Sequence, residues 1–218
     1  MTIDLRFPRG LYGITPEWDD TDQLIAAIEQ AAAGGMTALQ WRRKTIAADH
    51  RLAQARKVMQ RCQELGVTAI INDDWRLAGM VDANGVHMGQ DDGSVAKARQ
   101  ALGPGKLIGV SCYNDLDRAQ GMLQADVDYI AFGSVYPSNI KPDAVRAPLD
   151  LFTQARALTQ ATAPQGPRAA VVAIGGITPD NLAPVVSAGA DSAALISALF
   201  NAPDIQAAAQ QCQTLFKD

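Results

Sequence analysis

The chain has 218 residues, 48% hydrophobic and 19% charged, with a formal net charge of -4. Such a composition suits a soluble globular protein with one large core, read here as a single domain over residues 1–218. The acidic balance and the absence of any Lys/Arg run argue against nucleic acid or a membrane surface as partner, so an acidic protein with a phosphorylated ligand must gather its positive charge locally.

Short apolar runs alternate with longer amphipathic ones along the chain. Gly10 to Thr15 reads as a strand, followed by a helix from Thr21 to Ala33, capped near Asp20 and stopped at Gly34-Gly35. Thr37 to Arg42 is the second strand, and Ala47 to Leu65 a long helix ended by Gly66. Val67 to Asn72, a short helix from Trp75 to Val81, and a strand from Gly85 to Gly89 come next. Ser94 is placed to cap a helix through Leu102, and Lys106 to Ser111 is the fifth strand. A helix from Asp115 to Leu123 leads to a sixth strand, Asp128 to Ser134, and then to an irregular loop from Val135 to Ala147. Pro148 opens a helix to about Ala161. Ala169 to Gly176 is the seventh strand, Thr178 to Ser187 a helix with Pro179 in its first turn, Ser192 to Ser197 the eighth strand, and Pro203 to Phe216 the closing helix.

Eight βα units with no break in composition, and strands that are continuous apolar runs, predict an α/β protein built as a single (β/α)8 TIM barrel. An open doubly wound sheet is the competing architecture, but no GxGxxG follows the first strand. Cys62, Cys112 and Cys212 are odd in number and far apart with no CxxC, which predicts reduced thiols and a cytoplasmic protein. The first residues, MTIDLRFPRG, carry charge and no apolar segment, so no signal peptide is expected, and no run of about 18 apolar residues offers a membrane span. The oligomeric state, including a homo-oligomer, stays open.

In a parallel barrel the loops after the strands build the active site. Read that way, successive strand ends are polar or glycine-rich: Gln40-Trp41-Arg42-Arg43-Lys44, Asn72-Asp73-Asp74, Gln90-Asp91-Asp92, Ser111, Ser138-Asn139-Ile140-Lys141, Gly175-Gly176 and Ile196-Ser197. Carboxylates at adjacent strand ends, Asp73 and Asp92, suggest a hard divalent cation such as Mg2+. The alternative is helix capping, since both aspartate pairs precede helices. Arg42, Lys44 and Lys141 would supply cations, with Gln40, Arg42 and Lys44 on one side if the strand continues that far, while Arg43 reads as solvated. Gly175-Gly176 with Ser197 matches the barrel phosphate site in position, the alternative being a tight turn only. His50 reads as a helix-surface or packing residue, and His87 as a buried, hydrogen-bonded residue rather than a general base. Cations, donors and a metal without an evident nucleophile suit departure of a phosphate or pyrophosphate group.

The segments LYGIT, LQWRRK, INDD, GVHMGQDD, IGVS, DYIAFGSVYPSNIKPDA, VVAIGGITPDN and AGADSAALISALF, in this order from Gly10 to Phe200, resemble the thiamine phosphate synthase family. The resemblance implies a transferase that joins 4-amino-2-methyl-5-hydroxymethylpyrimidine diphosphate to 4-methyl-5-(2-phosphooxyethyl)thiazole. The products are thiamine phosphate and pyrophosphate; diphosphate departs first, and the thiazole nitrogen captures a pyrimidine-stabilised carbocation. Carried over by motif, Gln40, Arg42, Lys44 and Asn72 would contact the pyrimidine diphosphate and Asp73 and Asp92 would hold Mg2+. Ser111 would help bind the diphosphate and Lys141 would neutralise it as it leaves. Ser138 and the backbone of Gly176, Ile196 and Ser197 would cradle the thiazole phosphate.

Three positions depart from the family pattern. Ile140 stands where the family often has Thr, Asp191-Ser192 replaces a usual Asp-Gly, and Cys112-Tyr113 follows Ser111 where many members have a small residue and then His. The related thiazole tautomerase uses a histidine in that fifth-strand SxH motif, so this chain resembles the synthase more than the tautomerase. A non-catalytic phosphate-ligand barrel would show a broken metal or cation set, and here the set is complete.

Overall fold

A computed structural model describes residues 4–137 and 145–217. The strands are β1 (Gly10–Ile14), β2 (Ala38–Trp41), β3 (Thr68–Asn72), β4 (Gly85–Met88), β5 (Leu107–Tyr113), β6 (Tyr129–Phe132), β7 (Ala170–Ile174) and β8 (Ser192–Leu195). Each pairs in parallel with the next, and β8 pairs back onto β1 through Gly10↔Ser192 to Gly13↔Leu195, closing the barrel. The helices are α1 (Thr21–Ala33), α2 (Ala48–Glu64), α3 (Trp75–Met80), α4 (Val95–Leu102), α5 (Leu116–Gln124), α6 (Asp150–Thr162), α7 (Ala183–Ser187), α8 (Ser197–Phe200) and α9 (Ile205–Thr214). This is the expected (β/α)8 barrel, and the open sheet is excluded by its closure.

The strands are largely apolar because both of their faces are covered. One set of side chains, including Leu11, Leu39, Trp41, Ile71, Val86 and Ile130, packs outward against the helices. The alternate set, including Tyr12, Ile14, Ala38, Ile70, Tyr129 and Val172, fills the barrel interior, with Phe7 packed among them. Gly109 makes room for one of these: a Cβ there would lie 1.8 Å from Cζ of Tyr129. The glycine is therefore a slot through which the tyrosine ring crosses the interior.

The N-terminal rim is held by a repeated polar device. Asn84, Asp128 and Asp191, which precede β4, β6 and β8, accept from the backbone N–H of Ala69 (2.8 Å), Ile108 (2.7 Å) and Val171 (2.8 Å) on the preceding strand. Asp191 also takes two 2.7 Å bonds from the buried Arg168, and Asp128 one of 2.7 Å from Arg99. Polar groups at this end of a barrel serve stability. Ser192, at the Asp-Ser departure, donates to the carbonyl of Gly10 at 2.8 Å and is accommodated in the β8–β1 seam.

Several details differ from the sequence expectation. β5 runs on to Tyr113 through an irregularity between Ser111 and Tyr113. α7 begins at Ala183 rather than Thr178 because the Asn181 side chain accepts from the Thr178 N–H (2.8 Å) and donates to the Gly176 carbonyl (3.0 Å), folding that stretch into a turn. A separate short helix, α8, follows β8 before α9, which Asp204 caps. Ser94 sits at the N-cap of α4, but its side chain makes no capping bond.

Candidate active site

The C-terminal end of the barrel carries the candidate residues on adjacent elements. β2 ends at Trp41, so Arg42, Arg43 and Lys44 lie in the loop beyond it and the strand pleat does not orient them. Glu17, in the loop after β1, does so instead. Its carboxylate accepts from Arg42 Nη1 (3.3 Å), Arg43 Nε (3.4 Å), the Lys44 amide (3.1 Å to each oxygen) and Thr45 Oγ1 (3.3 Å). Partial burial works against its charge, but the Lys44 amide and the Arg42 guanidinium outweigh it and hold the carboxyl below the usual range.

Arg43 is not solvated as its sequence context suggested. Its side chain is 1% exposed and pinned to the Trp18 carbonyl, Gln54 Oε1 (3.0 Å) and Asp19 Oδ1 (2.6 Å). It anchors the loop, while Arg42 and Lys44 stay close enough to Asp73 for their charge to act on it. Gln40 is buried, with Nε2 donating to the Tyr12 hydroxyl at 2.8 Å.

The Asp73 and Asp92 carboxyl groups are close enough to act on each other. Burial, then the neighbouring Asp92 carboxyl, push the Asp73 carboxyl above its ordinary value against the pull of Lys44 and Arg42. Two carboxylates and two cations from three loops thus act on one another electrostatically. The backbone explains which aspartate does what. Asp73 sits at φ +65 and its amide bonds the His87 carbonyl (2.8 Å), turning the chain so that Asp74, not Asp73, caps α3 by accepting from the Leu77 N–H at 2.9 Å. Asp92 folds back onto the Gly89 N–H (2.6 Å) and does not cap α4, whose N-cap is Ser94. The capping explanation therefore applies to Asp74 alone of these three. An Asp74→Ala variant is expected to lose about 1 kcal/mol of stability with turnover within about twofold of the parent, as read by thermal melts and initial rates. A large activity loss there would mean that the cap and the carboxylate pair are not separable.

Among the described residues no group of three or more His, Cys, Asp or Glu side chains converges as a metal cage. Two paired carboxylates without a third ligand fit an oxygen-loving ion that completes its shell from phosphate and water.

Below the carboxylates lies a contact that the sequence did not reveal. His87 Nε2 is 2.9 Å from Ser111 Oγ, and its Nδ1 is 3.0 Å from the Tyr129 hydroxyl. Burial pushes the imidazole down to about 4, opposed by the charge of Asp92. His87 is thus the buried, bonded histidine expected. A Ser–His pair invites a nucleophile reading, but the far ring nitrogen meets a phenol instead of a carboxylate, and so depressed an imidazole is a weak base. Tyr113, at the SxH position, sits at φ +57 with its hydroxyl 3.4 Å from the Gln90 amide and offers no imidazole.

On the opposite side of the mouth, Gly175 (φ +100) and Gly176 (φ +63) pass tightly under the loop after β6. A Cβ on Gly176 would stand 2.4 Å from the Pro137 carbonyl, and one on Gly175 2.2 Å from Ser134 Oγ. Tyr136 reaches across to the Asn181 carbonyl (3.0 Å), locking this turn to the β6 loop. α8 starts at Ser197, immediately after Ile196; the Leu199 and Phe200 amides bond the Ile196 carbonyl at 3.1 and 2.9 Å, so the Ser197 and Ala198 amides lie ahead of the helical bonds. Glycine backbone beside a short helix after β8 is the usual anion cradle of such barrels. Ser138, Ile140 and Lys141 lie outside the described residues.

The family model for thiamine monophosphate synthase matches residues 11–199. The chain is 59% identical over 212 residues to thiamine-phosphate synthase of Bordetella pertussis, covering 97% of both chains, and 49% identical over 210 residues to that of Thiobacillus denitrificans, covering 96% of both. Its fold is similar to that of thiamine phosphate pyrophosphorylase from Pyrococcus furiosus, with a TM-score of 0.80, 29% identity, and coverage of 97% of this chain and 96% of that one. With the matched segment running from β1 through α8, and so across every strand end that carries a candidate residue, the chain belongs to the thiamine monophosphate synthase family.

Proposed function

We propose that the barrel mouth is one two-substrate site, joining 4-amino-2-methyl-5-hydroxymethylpyrimidine diphosphate to 4-methyl-5-(2-phosphooxyethyl)thiazole to give thiamine phosphate and pyrophosphate. The observation that carries this is the Asp73–Asp92 pair lying in the field of Arg42 and Lys44. Paired carboxylates call for a cation, and cations beside them call for an anion; a metal diphosphate answers both. Family membership supports the identity of the product.

In this reading Asp73 and Asp92 hold Mg2+, which when bound would offset the negative charge of the diphosphate. Arg42 and Lys44, with Lys141, grip the phosphate oxygens and stabilise the charge that collects there as the carbon–oxygen bond breaks. The bonding pair leaves with pyrophosphate. The thiazole nitrogen then donates its lone pair to the pyrimidinyl methylene carbon, forming the new carbon–nitrogen bond. Because no proton is transferred and no enzymic nucleophile is used, a weakly basic His87 is no handicap. Gln40 and Asn72 contact the pyrimidine side and Ser111 donates to the diphosphate. Ser138, with the backbone of Gly176, Ile196 and Ser197, holds the thiazole phosphate.

Three buried free cysteines support a cytoplasmic enzyme, and the closed barrel supports a single domain. The test is to incubate the purified protein with both substrates, with and without magnesium. Thiamine phosphate is expected only when all three are present, and its absence at saturating substrate and metal overturns the reading.

A further inference from the structure

We propose that Tyr12, Tyr129 and His87 form a one-way hydrogen-bond chain inside the barrel that holds the Ser111 hydroxyl as a donor toward the diphosphate; this rests on the function proposed above. The chain runs from Gln40 Nε2 to Tyr12 Oη (2.8 Å), to Tyr129 Oη (3.0 Å), to His87 Nδ1 (3.0 Å), and from His87 Nε2 to Ser111 Oγ (2.9 Å). It links two proposed substrate contacts, Gln40 on β2 and Ser111 on β5, through residues that touch neither substrate.

The direction follows from counting protons. An amide nitrogen only donates, so Tyr12 accepts from Gln40. Tyr12 is buried, and the Tyr129 oxygen is the neighbour within reach of its own proton. Having accepted, Tyr129 gives its proton to His87 Nδ1. A neutral imidazole with an accepting Nδ1 carries its hydrogen on Nε2 and donates it to Ser111 Oγ. Ser111, partly exposed at the mouth, keeps its own proton for a ligand.

The reverse direction requires the Gln40 amide turned round, with its oxygen toward Tyr12. Ser111 would then spend its proton on His87 and could only accept from a ligand. Phosphate oxygens are acceptors, so the forward direction is the one that binds a diphosphate. A mixed arrangement leaves a buried donor or acceptor unmatched, which is costly, so the chain moves as a unit.

The rings are also held in place. Phe7 packs on Tyr129 (centroids 4.2 Å) and edge-on to Tyr12 (5.1 Å), His87 lies nearly parallel to Tyr129 (22°), and the Gly109 slot admits the Tyr129 ring. Arg118 Nε fixes the Ser111 carbonyl at 2.8 Å. These residues are positioning residues rather than catalytic ones.

The test begins on the ligand-free parent protein with 15N-labelled histidine. The chain has 2 histidines, His50 and His87, so ring nitrogens are readily assigned by NMR. The expected tautomer of His87 near pH 7.5 has hydrogen on Nε2; hydrogen on Nδ1 overturns the proposal. In kinetics, Tyr129→Phe is expected to lower kcat/KM for the pyrimidine diphosphate about tenfold with KM for the thiazole phosphate unchanged. In a Ser111→Ala background the same substitution should have almost no further effect, because its route to the substrate is gone. Additive losses in the double variant would assign Tyr129 to packing alone and sink the idea. Tyr12→Phe serves in the same cycle should Tyr129→Phe fail to fold, and the tautomer measurement needs no variant. An active synthase with hydrogen on Nδ1 defeats the chain only, whereas a protein making no thiamine phosphate defeats the function only.

Discussion

In an Asp92→Asn variant, thiamine phosphate formation at saturating magnesium is expected to fall by about 10²–10³-fold, while the melting temperature in metal-free buffer at neutral pH holds or rises. The asparagine oxygen can still accept the Gly89 N–H, so the turn it supports at 2.6 Å survives. What goes is a negative charge against Asp73. Asp73 is raised above its ordinary value by burial first and by Asp92 next. For an acid whose folded pKa lies above its unfolded one, the folded state binds more protons between the two values. Stability therefore declines as pH rises through that window, and the penalty is full above it. Replacing Asp92 removes part of the penalty, so the gain should be present at neutral pH and vanish below the unfolded carboxylate pKa. Magnesium should raise the melting temperature of the parent protein at neutral pH and do so less in Asp92→Asn. Equal loss of turnover and stability would instead make Asp92 a support for the turn between β4 and α4.

The barrel was readable because its signal is local. Continuous apolar strands and amphipathic helices recur at short range, so α1 and β3 lie within a residue of their expected bounds. The misplaced boundaries are those where a side chain overrides the pattern. Asn181 captures the Thr178 amide and delays α7, and the stretch after β8 makes its own short helix because the chain turns at Ile196 (φ -113, ψ -93). The site divides in the same way. Residues that announce themselves by charge at strand ends, such as Asp73 and Arg42, stand out as candidates by position, and the structure brings them near one another. Residues that act through distant partners were not. Glu17 lies 25 positions from Arg42, and Tyr12 lies 117 from the Tyr129 hydroxyl it meets. Both tyrosines occupy apolar strands, where alternation marks them as core and says nothing of their hydroxyls. Arg43 was misread for a related reason: three basic residues in a row look solvated until the Trp18 carbonyl, Asp19 and Gln54 are seen to enclose the middle one.

The proposed division of the mouth also makes the cations separable by kinetics. An Arg42→Gln variant should lower kcat/KM for the pyrimidine diphosphate by about 10²-fold, with KM for the thiazole phosphate unchanged. Arg42→Lys should recover only part of this, because a lysine keeps the charge but loses the paired donors that match two phosphate oxygens. Stability should change by less than about 1 kcal/mol in either variant, since the Arg42–Glu17 pair is long at 3.3 Å and solvent reaches both partners. Glu17 sharpens the test. In the free protein it competes for the guanidinium, yet it also fixes the Lys44 amide through two 3.1 Å contacts. A Glu17→Gln variant therefore frees Arg42 while loosening the loop that aims it, and its effect on the diphosphate should be smaller than that of losing Arg42 itself. Steady-state rates with each substrate varied in turn decide the matter. If Arg42→Gln raises KM for both substrates alike, Arg42 serves the whole mouth, and the assignment of the diphosphate to the β2–β4 side does not stand.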